Sequence, residues 1–444
     1  MNMYLPDYVR RCVDALEQAG FQAWAVGGCV RDAALDRVPN DYDICTDALP
    51  HETQEVFRDY QMFLAGLKHG TVSVISDGHV LEITTFRTEG DYRDSRHPEW
   101  VAFVPEVEKD LARRDFTVNA MAWSPRRGLR DPFGGMEDLR AGILRAVGDP
   151  YTRFKEDALR ILRGVRFAVR YHLAVEERTL RAMEELTPLL DALSRERVFT
   201  ELCGILPIAS AEQLIAFAPI LSAAIPELAP LVGFDQRSPH HAYDLYTHTA
   251  HVTAGVPGEP VLRWAALLHD VGKIDTFTQD ETGRGHFYGH AKVSAQRADE
   301  ILRRLKAPNA LREQAVTLIE YHMTRLEEDE KVLKRRIRSL GWETLDKLLL
   351  LQEADMGSKG TGIREEMEQF PRIRGLLEEI RRQDACLNLK DLAVDGRDMI
   401  GLGLKGKQIG AALEYLLDRV LGGSLPNEKN KLLEAASEYQ EEQV

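Results

Sequence analysis

Residues 26–49 read VGGCVRDAALDRVPNDYDICTDAL and form the sharpest local pattern in the chain. A glycine pair that includes Gly28 separates an apolar strand from a helix that carries Arg31, and such a turn lets the backbone approach a phosphate closely. Asp41 and Asp43 follow on an extended segment, where alternate side chains share a face. Two neighbouring carboxylates repel each other unless a divalent cation lies between them, and Mg²⁺ prefers such oxygen ligands. A polar turn with solvated aspartates is the alternative, but the glycine pair and Arg31 favour the metal site.

The composition around this stretch is that of an acidic globular protein. The 444 residues include 57 Lys and Arg against 71 Asp and Glu, a formal net charge of −14, and 44% are hydrophobic. This excludes a wholly disordered chain, and no uncharged apolar run approaches the roughly 18 residues of a membrane helix. The five cysteines have no CxxC spacing and the N-terminus does not read as a signal peptide. We therefore expect a cytoplasmic chain with no membrane partner and no obligatory protein partner.

The periodicity of the apolar residues changes near residue 148. Before it, helical spacing mixes with alternating runs such as TVSVIS (71–76) and HVLEITTFR (79–87), whereas almost everything after Asp149 has helical spacing. A cluster of Pro and Gly residues after residue 225 indicates a linker. The pattern predicts an α+β chain of four parts: a head over 1–147, a helical neck over 148–232, a histidine-rich domain over 233–365 and a helical tail over 366–444.

A basic stripe follows the head. Residues 153–170 hold six Arg or Lys against Glu156 and Asp157, a local charge of 6 − 2 = +4. Arginines recur at three and four spacing from Arg160, which places them along one side of a helix, and Asp157 is expected beside Arg160. A carboxylate accepts from the exocyclic amino group of cytosine or adenine while a guanidinium donates to the ring nitrogen, and guanine and uracil reverse that pattern. A solvated basic face is the alternative.

The glycine pair, Arg31 and the Asp-x-Asp sequence together resemble the polymerase-β superfamily, and specifically the class II tRNA nucleotidyltransferase and poly(A) polymerase family. KDLARRDFTVNAMAW (109–123) resembles the family's ribose-reading motif, and residues 131–168 resemble its nucleotide-selecting helix almost continuously. The resemblance covers about the first 170 residues. It implies a polymerase-β-like nucleotidyltransferase head with a small mixed β-sheet, followed by all-α neck, body and tail domains.

The resemblance implies a template-independent RNA nucleotidyltransferase that adds or repairs the 3′-terminal CCA of tRNA from CTP and ATP. Asp41 and Asp43 would be its catalytic residues and Mg²⁺ ligands, with one ion activating the 3′-hydroxyl and another stabilising the leaving pyrophosphate. Asp157 and Arg160 would read the base. The implied nucleotide-binding residues are Gly28, Arg31, Arg114, Asp115, Asn119, Asp157, Arg160, Arg163 and Arg166.

Two further elements of the head are weaker predictions. Glu82, in the run LEITTFR, is a candidate third acidic partner of the metals. The polar segment 88–100 corresponds to a family segment that is mobile and matters for the switch from C to A addition.

The histidine-rich part of the chain contains an ordered series that resembles the HD metal-dependent phosphohydrolase superfamily. Its members are His248, His269, Asp270, His290, His322 and Asp355. The resemblance implies His248, His269, Asp270 and Asp355 as first ligands and the other two as ligands of a second metal. Histidine favours Ni²⁺, Mn²⁺ or Co²⁺ over Mg²⁺, and Lys273 is a candidate phosphate contact. The implied activity is hydrolysis of a phosphomonoester or a 2′,3′-cyclic phosphate. A structural HD body is the alternative.

Three other functions remain open on the sequence alone. An A-adding enzyme or poly(A) polymerase shares the head motifs. A mainly phosphohydrolytic HD protein would need a degenerate head, and a non-catalytic RNA-binding protein would need neither the paired aspartates nor the base-selecting pair. In any of these, RNA must bind to local basic surface, since the whole chain is acidic. KVLKRRIRSL (331–340), with five basic residues, is the candidate surface, unless it is merely a solvated helix.

Overall fold

The computed structural model describes residues 3–89, 101–238, 242–360, 364–383 and 386–442. The chain forms two compact units. The first runs to Ala229 and takes in Arg304–Lys306, and the second begins at Pro230 and includes the rest. The finer division into head, neck, HD domain and tail stays a prediction. Most of segment 88–100, assigned above to the switch between C and A addition, lies outside the described residues.

The first unit is built on a seven-stranded mixed sheet with strand order β3-β4-β5-β2-β1-β8-β9, in which β2 and β5 run parallel and the other pairs antiparallel. Its strands are β1 Ala23–Val26, β2 Asp43–Thr46, β3 Met62–Phe63, β4 Thr71–Ser76, β5 His79–Thr85, β8 Ala122–Ser124 and β9 Gly128–Arg130. Two short pairs, β6 Arg87–Glu89 with β7 Val101–Phe103 and β10 Ile143–Leu144 with β11 Ala174–Val175, lie outside it. The predicted alternating runs are β4 and β5, and the predicted α+β class with a small mixed sheet is confirmed.

Helices cover this sheet and continue beyond it. They are α1 Asp7–Gln18, α2 Gly28–Ala34, α3 Pro50–Val56, α4 Val107–Ala112, α5 Gly135–Ala141, α6 Pro150–Glu156, α7 Leu159–Tyr171, α8 Glu177–Glu185, α9 Arg195–Ile205, α10 Ala211–Ala216 and α11 Ala218–Ala224. α1 forms because Val9, Val13 and Leu16 recur at helical spacing, and their side chains are fully buried against β1 and β4.

One predicted helix is interrupted. The sequence predicts the basic stripe on a helix that includes Asp157, but α6 ends at Glu156 and α7 begins at Leu159. Asp157 is extended (φ −141°, ψ 103°), and its carboxylate accepts a hydrogen bond from the Leu159 amide at 3.0 Å. This local bond competes with helical pairing, which is why an aspartate at this point ends one helix and starts another.

The second unit is almost wholly helical. Its elements are α12 Leu245–Gly255, α13 Pro260–Leu268, α14 Lys273–Thr276, β12 Thr278–Gln279, β13 Gly285–His286, α15 His290–Arg304, α16 Asn309–Tyr321, α17 Glu330–Leu340, α18 Trp342–Gly357, α19 Arg364–Met367, α20 Gln369–Arg382, α21 Gly396–Gly401, α22 Lys407–Leu421 and α23 Lys429–Glu442. α13 is buried nearly throughout, and α12, α16 and α18 pack around it. Over the described residues, none of the helices is long and apolar enough to cross a membrane.

Candidate functional site

A polar cavity of about 580 Å³ lies in the first unit. All the residues that the sequence predicts for nucleotide and magnesium binding line it: Gly28, Arg31, Asp41, Asp43, Arg114, Asp115, Asn119, Asp157, Arg160, Arg163 and Arg166. They come from the strand ends of the sheet, the turn after α4 and the start of α7. The fold therefore gathers into one place segments that are more than 120 residues apart in the chain.

The glycine pair forms the tight turn between β1 and α2. Gly27 has φ +75°, a value that side chains rarely tolerate, and a Cβ there would lie 2.8 Å from the Arg114 guanidinium. Gly28 begins α2 and lines the cavity. The turn therefore leaves room for the guanidinium of Arg114, which lines the cavity and whose charge acts on Asp43.

Asp41 and Asp43 line the cavity together, although β2 begins only at Asp43 and Asp41 precedes it in a loop. Glu82 lies opposite Asp43 in the parallel β2–β5 register. Desolvation raises the pKa of Asp43 to about 6, Arg114 opposes the shift, and the charges of Asp41 and Glu82 add to it. This concentration of negative charge on hard oxygen donors fits a magnesium ion. Among the described residues, Glu82 does not complete a three-ligand group with the two aspartates.

Arg31 is held in place by neighbours on three elements. Its guanidinium donates to the side-chain oxygen of Asn119 and to Asp32, the latter at 2.8 Å, and lies 4.2 Å from the centre of the Tyr171 ring. The Tyr171 hydroxyl accepts a further bond from it. Because these contacts fix the orientation of Arg31, it presents a preorganised positive charge to the cavity that needs no reordering when an anion binds.

Asp115 anchors the other wall. Its carboxylate pairs with Arg163 at 2.6 Å and accepts a bond from the Asn119 amide at 3.2 Å. Burial alone would raise the pKa of Asp115, but the charges of Arg163 and Arg160 outweigh burial and lower it to about 2. Asp115 is therefore ionised at neutral pH and orients Arg163, whose side chain stays one-third exposed toward the cavity.

The predicted pairing of Asp157 with Arg160 is wrong in this structure. Asp157 binds Arg197 from α9 at 2.9 Å, whereas Arg160 pairs with Glu156 at 2.7 Å and donates to the Arg113 carbonyl at 2.9 Å. The helix ends at Asp157, so the helical spacing that predicted its pairing with Arg160 does not apply there. Both side chains line the same cavity all the same.

Sequence reasoning missed several cavity residues that contact the predicted ones, among them Tyr171 and Arg197. Tyr171 ends α7 and contacts Arg31, and Arg197 pairs with Asp157. The aromatic spacing of Phe167 and Tyr171 at one helical turn was a usable signal, since Arg163 and Arg166 also lie over the Phe167 ring. No local signal pointed to Arg197, because the pairing joins segments 40 residues apart.

In the second unit the six predicted HD residues form one cluster, here called the histidine–aspartate centre: His248, His269, Asp270, His290, His322 and Asp355. Asp270 lies in the middle. One of its oxygens is 3.1 Å from His269 Nε2 and the other is 3.3 Å from His290 Nε2. Asp355 contacts His248 Nε2 at 3.1 Å. The two groups of ligand atoms that lie within 4.8 Å of one another share Asp270, an arrangement that suits two metal ions bridged by one carboxylate.

The orientation of the imidazoles supports metal binding. The Nδ1 atoms of His269, His290 and His322 lie 2.6–2.8 Å from backbone carbonyls, which can only accept, so each neutral ring carries its proton there. The bare Nε2 atoms then face inward, and those of His290 and His322 are 3.2 Å apart. Two facing lone pairs repel unless a cation or a proton lies between them, so the donor set fits a transition metal.

The pKa values agree with this arrangement. Burial lowers the pKa of His322 to about 4, and the neighbouring His269 adds to the shift, so the His322 imidazole is neutral and able to bind a metal at pH 7. Burial opposes ionisation of Asp270, but His269 and Lys273 outweigh it and hold the pKa of that carboxyl well below its usual range.

Lys273 is buried beside the histidine–aspartate centre, with its ammonium 2.7 Å from Asp270 and donating to Gln236 at 2.9 Å. Its role as a phosphate contact stays a prediction.

The basic run at 331–340 is the amphipathic helix α17. Leu333 and Ile337 are buried on one side, and Lys334 and Arg338 pair with acidic neighbours. Within the described parts of the chain Arg335 has no ion-pair partner, so part of the helix presents positive charge to solvent.

Three family models match parts of this chain, which together include most of its residues. The model described as the poly A polymerase head domain matches residues 23–145, and that of a probable RNA and SrmB-binding site of polymerase A matches residues 172–215. A tRNA nucleotidyltransferase domain 2 model matches residues 276–436.

Similar proteins extend over the whole chain. The CCA-adding enzyme of Streptococcus mutans is 33% identical over 439 residues, 97% of each chain, and that of Limosilactobacillus reuteri is 32% identical over 98% of this chain and 96% of its own. The crystal structure of the Bacillus stearothermophilus CCA-adding enzyme in complex with CTP has a TM-score of 0.70 at 28% identity and covers 99% of both chains. The Thermotoga maritima CCA-adding enzyme complexed with tRNA, at 21% identity and a TM-score of 0.63, shares the fold.

Proposed function

The chain belongs to the class II tRNA nucleotidyltransferase and poly(A) polymerase family, and we propose that its arginine-lined cavity adds CMP and AMP to the 3′ end of tRNA. It is a CCA tRNA nucleotidyltransferase, as its relatives over the full length indicate. The observation that carries the proposal is the convergence of Asp41 and Asp43 with a row of arginines in one cavity. None of its five cysteines forms a disulfide in the described part of the chain, and three of them are buried, which supports a reducing cytoplasm as its compartment.

The head residues divide the work by charge. Asp41 and Asp43 would hold Mg²⁺, which when bound stabilises charge on the transferring phosphate and lowers the pKa of the attacking 3′-hydroxyl. Arg31, oriented by Asn119 and Tyr171, and Arg163, oriented by Asp115, face the triphosphate. These arginines stabilise the charge that develops as pyrophosphate leaves. Arg114 and Arg166 line the same cavity and add to its positive potential.

We propose that Asp157 and Arg160 select the incoming nucleotide by its base. The carboxylate accepts from the amino group of cytosine or adenine, and the guanidinium donates to the adjacent ring nitrogen. Guanine or uracil would leave both groups facing like partners, a mismatch that buried sites penalise strongly. Without nucleotide the two side chains bind Arg197 and Glu156, so a base must share or replace those partners.

The test supplies tRNA that lacks its CCA end, and in parallel tRNA that already ends in CC, with CTP alone, ATP alone, or both, and sizes the products. We expect two added residues with CTP and three with both nucleotides. Addition of one A to tRNA that already ends in CC, with no use of CTP, would identify an A-adding enzyme. Long A tails would identify a poly(A) polymerase.

For the second unit we propose hydrolysis of a 2′,3′-cyclic phosphate at an RNA end. Water adds to phosphorus, the bond between phosphorus and O3′ breaks, and the proton passes to O3′, which leaves a 2′-phosphate and a free 3′-hydroxyl. The histidine–aspartate centre supports this, because its six residues would hold Ni²⁺, Mn²⁺ or Co²⁺. The free 3′-hydroxyl is the group that the head extends. Assays of the whole protein with each metal on a cyclic nucleotide and on a generic phosphomonoester test it, and absence of hydrolysis with every metal would make the domain structural.

α17 remains the proposed RNA surface of the second unit. Lys331 and Arg335 are exposed on this helix and Arg336 is half-buried, whereas Arg338 is paired with Glu414. Replacing Arg335 and Arg336 with Ala should weaken tRNA binding and reduce its dependence on salt concentration, because each phosphate contact releases a counterion.

A further inference from the structure

A second cavity, of about 180 Å³, opens beside the histidine–aspartate centre, and His322 and Asp355 form part of its wall. The side chain of Asp355 is 14% exposed, whereas those of His248, His269 and Asp270 are at most 2% exposed. A ligand can therefore reach the centre from this cavity, and whatever fills the cavity lies next to the metal ligands.

Two of the three charged side chains that line the cavity, Arg325 and Lys359, are cations, and the third is Asp355. Arg325 is exposed at its rim and makes no ion pair within the part of the chain that the structure describes. Lys359 lies on the wall with its ammonium 3.9 Å from Asp355. Two cations beside a metal site attract an anion such as a phosphate.

The opposite wall is apolar. Met356, Phe370 and Ile373 line it, and the last two are almost fully buried, so the wall is part of the packed core and stays in place. Methionine and aromatic side chains form a surface against which a flat ring packs well. A phosphate alone would leave this wall uncovered, whereas a nucleotide would bring a base to it.

Gln352 gives the wall a fixed polar atom. Its amide nitrogen donates to the carbonyls of His322 at 2.8 Å and Thr324 at 2.6 Å, which uses both protons and fixes the orientation of the amide. Among the described residues, its side-chain oxygen accepts no hydrogen bond. The cavity thus contains an acceptor that cannot turn into a donor without losing two bonds.

We propose that this cavity binds the terminal nucleoside of the RNA end that the centre hydrolyses, and that Gln352 selects adenine or cytosine there. The inference rests on the proposed phosphohydrolase function. The phosphate faces the centre with Arg325 and Lys359, and the base packs against Met356 and Phe370. The exocyclic amino group of adenine or cytosine donates to Gln352, whereas guanine O6 and uracil O4 would place an acceptor against an acceptor.

The test compares the four nucleoside 2′,3′-cyclic phosphates and phenyl phosphate as substrates of the whole protein with Mn²⁺, Ni²⁺ or Co²⁺. We expect kcat/KM to be about tenfold higher for the A and C substrates than for G and U, as one hydrogen bond at a partly open site allows. Gln352→Leu should reduce that ratio to near one. Met356→Trp, which fills the cavity, should raise KM for all four nucleotides more than for phenyl phosphate, which has no nucleobase to place.

The variants separate base reading from a structural role. If Gln352 only positions His322, Gln352→Leu slows all four substrates equally and the ratio stays. Gln314→Leu, on the exposed side of α16, is the matched control and should change nothing. Equal kcat/KM for all four nucleoside 2′,3′-cyclic phosphates would overturn the proposed base selection and leave the proposed phosphohydrolase function standing.

A binding measurement decides the case if no metal gives hydrolysis. Calorimetry compares 2′-AMP with 2′-GMP in the wild type and in Met356→Trp, and the heat that the variant removes belongs to this cavity. If the binding that Met356→Trp abolishes is about tenfold tighter for 2′-AMP than for 2′-GMP, the result supports the base-binding cavity even without hydrolysis. No difference between wild type and variant would overturn it.

Discussion

At the scale of single residues, the head works through charges that the fold brings close together. Asp43 has a pKa of about 6 because desolvation and two neighbouring carboxylates disfavour its ionised form. Arg31 and Arg163 are each oriented by a partner that keeps them facing the cavity. The carboxylates thus repel one another, and the arginines are already oriented for an anion. A bound metal ion would reduce the repulsion, and a triphosphate would pair with the arginines.

Asp41→Ala or Asp43→Ala should abolish nucleotide addition. Removing a metal ligand costs several kcal/mol of transition-state stabilisation, which corresponds to a loss of about 10³-fold or more in kcat. Incorporation of labelled CTP measures it, with circular dichroism to show that the fold persists. Asp59→Ala, whose side chain is 90% exposed, is the control and should leave the rate unchanged. Near-normal addition by either cavity variant would refute the assignment.

Asp157→Ala should loosen base choice as well as slow addition. The carboxylate that penalises the carbonyls of uracil and guanine is gone, so incorporation of UTP or GTP relative to CTP should rise. Arg197→Ala should shift selectivity in the same direction but less, because Asp157 keeps its charge and loses only the ion-pair partner that orients it. Arg195→Ala on the same helix is the control. If selectivity stays at the wild-type level in Asp157→Ala and only the rate falls, the residue orders the phosphates instead.

Asp115 should make stability depend on pH in acid. Its folded pKa of about 2 lies below the ordinary value of 3.8, so the stabilisation is complete above about pH 5 and falls as pH drops toward 2. Between pH 5 and pH 3 the free energy of unfolding should lose about 1 kcal/mol through this group. Urea titrations of wild type and Asp115→Asn measure it, and the variant should lack this part of the pH dependence. If the free energy of unfolding depends on pH equally in wild type and Asp115→Asn, the arginine partners do not lower the pKa of Asp115.

At the scale of elements, the close contact between the backbone at Gly272 and helix α15 positions candidate metal ligands of the histidine–aspartate centre. Gly272 follows Val271 in the HDVG turn, and a Cβ there would lie 2.5 Å from the Ser294 nitrogen and 2.9 Å from the His290 carbonyl. Both atoms belong to α15, which carries His290 into the histidine–aspartate centre. The glycine therefore sets the distance between Asp270 and His290.

Gly272→Ala should displace α15 and weaken metal binding in the second unit. Overpacking against backbone costs about 1–3 kcal/mol, and the displaced His290 should lower the affinity for Mn²⁺. Thermal unfolding and metal titration measure the two effects. Gly375→Ala, at a helical position with no atom within 4 Å of the added Cβ, is the control and should stabilise slightly. A Gly272→Ala protein of wild-type stability would show that α15 has room to move.

At the scale of the whole molecule, the chain holds two sites with different ligand chemistry. The head offers carboxylates, which suit Mg²⁺, and the second unit offers four imidazoles, which suit transition metals. Each site lies inside one compact unit. We therefore expect the two activities to respond to different ions and to be separable by mutation.

His269→Ala or Asp270→Ala should abolish phosphohydrolysis and leave CTP and ATP addition largely unchanged. The physical reason is that neither side chain belongs to the cavity of the first unit. Parallel assays of both activities over a series of metals measure this, with His251→Ala on α12 as the control. Loss of addition in both variants, with the fold intact, would mean that the units are coupled.

The sequence by itself determined the chemistry of this protein, because chemistry follows residue type and local spacing. The glycine turn, the Asp-x-Asp pair, the arginines of α7 and the series of histidines are readable over short stretches, and they predicted the fold class and the residues that meet in each site. Alternating periodicity likewise predicted β4 and β5.

Only the tertiary structure decided which side chains pair. Asp157 meets Arg197 instead of Arg160, because the helix ends at Asp157 and α9 brings a partner from 40 residues away. Lys273 binds Asp270 and is buried, and Asp270 lies between two groups of histidines from different helices. Pair formation depends on distances between elements that are far apart in sequence, and these distances arise from packing of the core, which no local pattern encodes.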